Sequence, residues 1–132
     1  MAFLRPLKKQ LELTARLNMN FQEKDPFGKS SKEPGSKLDA GKVPALRGLL
    51  DYFPHACMAV AGVSEFGAKK YAWKGWETVP DGIARYGDAA IRHVCYEAIE
   101  GKFDSDSGLM HKAHIAWNAL AALELAIREM DK

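Results

Sequence analysis

Residues 86–118 read YGDAAIRHVCYEAIEGKFDSDSGLMHKAHIAWN, two amphipathic segments on either side of a short acidic turn. Ionisable and amide residues recur in both at helical spacing: Arg92, His93, Glu97 and Glu100 in the first, His111, His114 and Asn118 in the second. Side chains three, four and seven residues apart share one face of an α-helix, so the two segments can aim polar groups at a common space. Asp104, Asp106 and Gly108 lie between them and favour a turn. The stretch therefore predicts two helices joined tightly, with a candidate site where their polar faces meet.

Working outward, the apolar pattern predicts the rest of a helical fold. One helix is expected over about Asp81 to Gly101, with Asp81 as N-cap and Ile83, Ala90, Val94 and Ala98 toward a core. Another is expected over about Leu109 to Asp131, led in by Ser107 and Gly108 and carrying Leu109, Ala113, Leu120, Leu123 and Ile127. Upstream, Leu46, Leu49 and Leu50 give a helical stripe between Val43 and Phe53. Pro54 can then open a helix to about Tyr71, with Met58, Val60, Val63 and Phe66 apolar and several Ala and Gly residues suited to close packing. The expected architecture is mainly α, a compact bundle of about four helices with a basic, loop-rich N-terminal arm. The arm is expected over residues 1–34 and the helical domain over 35–132.

At 132 residues the chain is long enough for one domain with its own core. Its formal charge of +2 conceals an asymmetry: residues 1–50 hold ten Lys/Arg against five Asp/Glu, and residues 51–132 hold nine against twelve. The basic half can supply phosphate contacts to an acidic helical body, or it can be a solvated arm. Residues 3–18 fit a strand or a short helix, with Pro6 interrupting any early helix. Residues 20–44 are loop by composition. Cys57 and Cys95 form no C-x-x-C pair and are expected to be reduced and in the core. No apolar run approaches the ~20 residues needed to span a bilayer. With no secretory signal apparent, the protein is expected in the cytoplasm, without a membrane, DNA or RNA partner.

Several groups carry chemistry. Glu97 and Glu100 form an E-x-x-E pair one turn apart, which can share Mg²⁺ when phosphates complete the shell, and His93 lies one turn before Glu97. Such a pair is also common on a solvated face. Lys70, Tyr71, Trp73 and Trp76 interleave cations with aromatic rings, as a nucleobase stacked near phosphates requires. The plainer alternative has the Trp residues covering a core. Lys37, Asp39, Gly41 and Lys42 form a loop before Pro44 that is an anion site or simply a helix entry, and it lacks Walker A spacing. His111, His114 and Asn118 suit hydrogen bonds to phosphate or base edges, and their spacing is not that of H-E-x-x-H.

Four segments taken together resemble a known family: K-x-D-x-G-K-x-P over residues 37–44, F-G-A-K-K-Y from Phe66 with Trp76 following, Y-x-x-A-x-x-R-H over 86–93, and D-x-x-S-G-L-x-H-x-A-H-x-x-x-N over 104–118. The combination is similar to the phage domain family dATP/dGTP diphosphohydrolase, N-terminal, over about residues 35–125. That resemblance implies a relative of the all-α, MazG-like pyrophosphohydrolases, which cut a deoxynucleoside triphosphate to the monophosphate and pyrophosphate with Mg²⁺ on helical carboxylates. On an enzyme reading of this chain, Glu97 and His93 are expected to be catalytic and Glu97, Glu100, Asp104 and Asp106 to be the Mg²⁺ ligands. Lys37, Lys42, Lys70 and Arg92 would hold the triphosphate and Tyr71 or Trp76 would stack on the purine. Asp39, His111, His114 and Asn118 would complete nucleotide binding. The resemblance also implies a homo-oligomer in the host cytoplasm. The sequence departs from the MazG pattern of E-E-x-x-E followed by E-x-x-D, because its next helix presents His111, His114 and Asn118 instead of acids. Two other readings therefore stand beside the enzyme: a non-catalytic protein that sequesters a host nucleotide or cyclic-nucleotide signal, and a helical protein that joins others through apolar faces.

Overall fold

The computed structural model describes residues 24–130. Residues 3–18, expected as strand or short helix, lie outside the described residues, as does most of the expected arm. The chain divides into two units, Met1–Leu46 and Arg47–Lys132. This division falls later than the boundary expected after residue 34, and hydrogen bonding gives the reason. The Asp25 carboxylate accepts the backbone N–H of Lys37 at 2.7 Å, of Phe27 at 2.7 Å and of Lys29 at 3.4 Å. The Ala40 N–H donates to Lys24 O at 2.8 Å. Residues 37–40 thus fold back on residues 24–29 and belong with them. Gly28 and Gly41, at φ 80° and 77°, make the turns this requires.

The second unit is helical. A π-helical turn, Leu46–Leu50, leads into it. Helix α1 is Pro54–Lys70, started by Pro54, whose fixed φ suits a first helical position. A 3₁₀ turn, Gly75–Thr78, follows Lys74 in the left-handed region at φ 62°. Helix α2 is Gly82–Glu100 and helix α3 is His111–Met130. Gly101, at φ 97°, ends α2 in a conformation that side chains resist. Residues 101–110 form a small closed loop: Phe103 and Met110 pair as an antiparallel bridge, and the Asp104 N–H donates to Leu109 O at 2.8 Å. The protein is mainly α, as expected, and among the described residues this bridge is the one β pairing.

Helix α3 is the centre of the unit, with α2 packed along it and α1 against it more lightly. Trp76, Tyr86 and Trp117 meet edge to face with centroids 5.6–6.4 Å apart. The Tyr86 hydroxyl donates to Trp76 O, and Trp117 Nε1 donates to Ser64 Oγ, each at 2.8 Å. These bonds satisfy the polar ends of aromatic side chains whose rings are half-buried.

Several expectations about burial are corrected. Ile83, Val94, Ala98, Leu120 and Leu123 are exposed, and so is Met58. The reason is the face that α2 turns to α3, which is the one carrying Tyr86, His93 and Glu97, so polar residues occupy the interface the apolar ones were expected to fill. Both cysteines are free, but Cys95 is exposed and Cys57 only half-buried, so neither is a core residue. Asp81 stands at the N-cap of α2, yet in the left-handed region at φ 55° its side chain makes no capping bond.

Candidate functional site

The polar faces of α2 and α3 meet, together with the loop between them, around three imidazoles. His93 comes from α2 and is half-buried; His111 and His114 open α3 and are buried, His111 completely. His93 Nδ1 lies 2.9 Å from His111 Nδ1. His111 Nε2 lies 2.7 Å from Glu100 Oε1 at the end of α2. The His93 and His114 rings stack with centroids 4.4 Å apart and planes 4° from parallel. Asn118, one turn further on, is buried and donates from Nδ2 to His114 O at 2.8 Å, fixing that turn of α3.

The loop supplies the anion. Asp104 Oδ2 accepts the Ser107 hydroxyl at 2.7 Å and the Ser107 N–H at 3.1 Å, and it lies 3.6 Å from His114 Nε2. Ser107 Oγ is also 2.7 Å from His114 Nε2. A hydroxyl has one hydrogen, and an ionised carboxylate can only accept, so the relay runs His114 Nε2–H to Ser107 Oγ–H to Asp104. Burial tends to push the Asp104 carboxyl up, but hydrogen bonds from Ser107 and Asp106 and the adjacent His114 outweigh it and hold it below the usual carboxylate range. Glu100 is held low mainly by the Ser105 N–H, with His111 adding to the effect. Burial is the main cause that lowers His93 and His114, and the imidazoles reinforce one another in the same direction. Near neutrality His93 and His114 are therefore neutral rings beside the ionised carboxylates of Asp104 and Glu100.

The expected residues divide into those gathered here and those that are not. His93, Glu100, Asp104, His111, His114 and Asn118 belong to this one network. Glu97 stands beside it, its Oε1 accepting Lys112 Nζ at 2.8 Å and its Oε2 buried without a hydrogen-bond partner. Asp106 is 3.9 Å from Lys70, which also sits 5.7 Å above the Tyr71 ring. Tyr71 and Arg92 are exposed. Trp76 lies among Tyr86 and Trp117 with the Arg128 guanidinium 5.5 Å from its ring, the core-covering alternative for this residue. Lys37, Asp39 and Lys42 belong to the first unit, where the Lys37 N–H is spent on Asp25. Two contributors are not expected in these roles from sequence. Ser107 reads there only as a helix lead-in, although the D-x-x-S spacing of a turn that bonds to its own Asp is its signal. Tyr96, edge-on to His93 with centroids 5.7 Å apart, carries no motif.

Among the described residues, the group whose ligand atoms all approach within 4.8 Å of one another is His93, Asp104 and His111. Two nitrogens and one carboxylate oxygen do not make the all-oxygen shell that Mg²⁺ prefers. The set expected for Mg²⁺ shares only Asp104 with this group, and Glu97 and Glu100 are engaged by Lys112 and His111.

The comparisons with known proteins bear on the same residues. No curated protein and no solved structure matches the chain. A family model does, that of dATP/dGTP diphosphohydrolase, N-terminal, over residues 32–132. That span takes in α1, α2, α3 and every histidine, serine and carboxylate of the network just described. Since the match covers most of the sequence, the chain belongs to the dATP/dGTP diphosphohydrolase, N-terminal, family.

Proposed function

We propose that the chain binds a purine deoxynucleoside triphosphate and takes part in its hydrolysis, dNTP + H₂O to dNMP + pyrophosphate. The observation that carries this is the meeting of His93, His111 and His114 with Asp104 on packed helices, in a chain whose family is described by that reaction. Attack of water on the α-phosphorus needs a group to take a proton and cations to offset the developing charge. His114, whose buried ring is neutral, is suited to accept a proton. The exposed Arg92 precedes His93, and Lys70 lies 3.9 Å from Asp106 of the loop; these cations can meet a triphosphate. Mg²⁺ enters this reading as the counter-ion carried by the nucleotide, and no step is assigned to an ion resident on Glu97, Glu100 and Asp106. The same reading takes in a bacteriophage origin, kinship with MazG-like enzymes and a setting in the host cytoplasm.

One observation favours a second reading. The carboxylates are engaged by their own neighbours, Glu97 by Lys112, Glu100 by His111 and Asp104 by Ser107. A site so arranged can hold a nucleotide without activating water. The second reading is a binding protein that sequesters a purine nucleotide or a cyclic-nucleotide signal.

Calorimetric titration with dGTP and dATP, with and without Mg²⁺, and a pyrophosphate assay on the same samples decide between them. Binding with pyrophosphate release is expected. Tight binding without product would establish sequestration instead, and the absence of both would remove the nucleotide site.

A further inference from the structure

The contact between His93 and His111 is nitrogen to nitrogen, and the partner on the far side of His111 determines what that means. His111 Nε2 faces Glu100 Oε1 at 2.7 Å. An ionised carboxylate has no hydrogen to give, so in the neutral ring Nε2 carries the hydrogen and Nδ1 is a lone pair. That lone pair points at His93 Nδ1, 2.9 Å away, and His93, His111 and Asp104 each offer a ligand atom within 4.8 Å of the other two. Two nitrogens bound at about 2.1 Å to one ion lie ~3.0 Å apart at right angles and ~3.4 Å apart at the tetrahedral angle, so the 2.9 Å found here is within a few tenths of an ångström of a ligating separation.

The surroundings match what a metal ligand needs. A carboxylate that fixes one imidazole nitrogen, so that the other is presented to an ion, is the usual support for ligating histidines. Glu100 stands in that relation to His111. The stacked His114 ring fixes the plane of His93, and Ser107 holds Asp104 through two hydrogen bonds. Two imidazoles and one carboxylate select ions of borderline softness in preference to hard Mg²⁺.

We propose that His93 Nδ1, His111 Nδ1 and a carboxylate oxygen of Asp104 form a site for one divalent first-row transition ion, from Mn²⁺ to Zn²⁺, with Glu100 as a positioning residue. The site goes beyond the nucleotide reading and does not depend on it, since an ion held here can organise the helices whether or not a triphosphate is cleaved.

The full chain, stripped with a chelator, is titrated with Zn²⁺ and with Co²⁺ in the absence of nucleotide, following heat and the visible absorption of Co²⁺. One ion per chain is expected, and a large excess of Mg²⁺ does not displace it. Glu100→Gln keeps that stoichiometry and lowers affinity by about 10–100-fold. His93→Ala abolishes binding while the far-ultraviolet spectrum stays helical. Because a variant at this interface can lose its fold, ¹⁵N spectra of the unaltered protein give an independent readout. The chain has four histidines, and Zn²⁺ is expected to shift the Nδ1 resonances of His93 and His111 and leave exposed His55 unmoved. Binding that survives His93→Ala, displacement by Mg²⁺, or a shift confined to His55 would each overturn the proposal. A chain that binds dGTP but no transition ion would sink this site and leave the nucleotide reading standing.

Discussion

A single hydroxyl, Ser107 Oγ, stands between a buried imidazole and a carboxylate, 2.7 Å from each. It also accepts the Leu109 N–H at 3.2 Å, so it ties the loop to the start of α3. Ser107→Ala removes three partners and leaves His114 Nε2–H without an acceptor where water has little access. A buried polar group without a partner costs about 1–3 kcal/mol, and urea denaturation should show a loss of that size. Ser107→Thr keeps the hydroxyl and should recover most of it. An unshifted midpoint for the alanine variant would mean that solvent reaches this relay.

Asp25 gives a residue-scale prediction in the first unit. The Lys37 N–H is the largest influence on its carboxyl, burial opposes it, and the Phe27 and Lys29 N–H groups add to the lowering, so the pKa falls below its ordinary 3.8. A depressed folded-state pKa means that the unfolded chain binds the proton more readily. The stabilisation is therefore fully present above the ordinary pKa and is lost as pH falls through the lowered one. Hydrogen exchange at the Lys37 amide should be protected at neutral pH and lose that protection on acidification. Asp25→Asn should remove the acid dependence, and if it does not, another carboxyl governs the turn. The candidate histidines were legible in sequence because helical spacing alone aligns His93 with one face and His111, His114 and Asn118 with another. What escaped was pairing across the loop: nothing in linear spacing says that Glu100 reaches His111 while Glu97 reaches Lys112.

At the scale of elements, close approach of α2 and α3 depends on Gly82. A Cβ at that position would lie 2.7 Å from Leu125 Cδ1 and 3.4 Å from Tyr86 Cε2. Leu125 Cδ1 is the end of a flexible side chain, so part of the clash is relieved by rotation. The remaining overpacking, at the end of α2 where Tyr86 also bonds Trp76 O, should cost about 1–3 kcal/mol in Gly82→Ala. Gly87, on the same helix, has nothing within 4 Å of the point where a methyl group would stand, and its φ is not positive. There alanine should stabilise by about 0.5–1 kcal/mol, the ordinary helix-interior difference between the two residues. Opposite shifts of the two melting temperatures are the expected result, and equal ones would show that α2 does not pack as described. Helix ends were readable for a related reason. Pro54, Gly101 and Gly108 punctuate the chain by backbone chemistry that acts locally, so α1 begins at the expected residue and α2 and α3 run within two residues of the expected ends. Which face turns inward was not readable, because polar residues that satisfy one another can outcompete an apolar stripe for the interface.

For the whole molecule the consequence is a scarcity of buried apolar surface. Among the described residues the buried hydrophobic side chains are Val63, Ala113 and Ala121, two of them alanines. A domain near 100 residues ordinarily hides well over half of the surface its unfolded chain exposes. Here Ile91 is 65 % exposed, Val94 49 % and Ile99 79 % on α2, and Leu120 and Leu123 are 51 % and 53 % exposed on α3. Ile91, Val94 and Ala98 follow one another at three and four residues, the spacing of a seam between helices. A formal charge of only +2 on 132 residues gives little repulsion between copies. We propose that the same face of a second copy covers this repeating apolar face, which would make a homo-oligomer. Fully burying an exposed side chain of this kind is worth about 1.5–3 kcal/mol, and covering what each of these still exposes is worth roughly half or more of that, so association and folding should be coupled. Light scattering coupled to size-exclusion chromatography should then give a mass of at least two chains, with a melting temperature that rises with concentration. Val94→Glu puts a charge in the centre of the seam and should shift the mass to one chain while lowering the melting temperature. A monomer that melts independently of concentration would mean that these side chains stay in water, and that the His93–His111 contact between α2 and α3 bears more of the stability than apolar burial does.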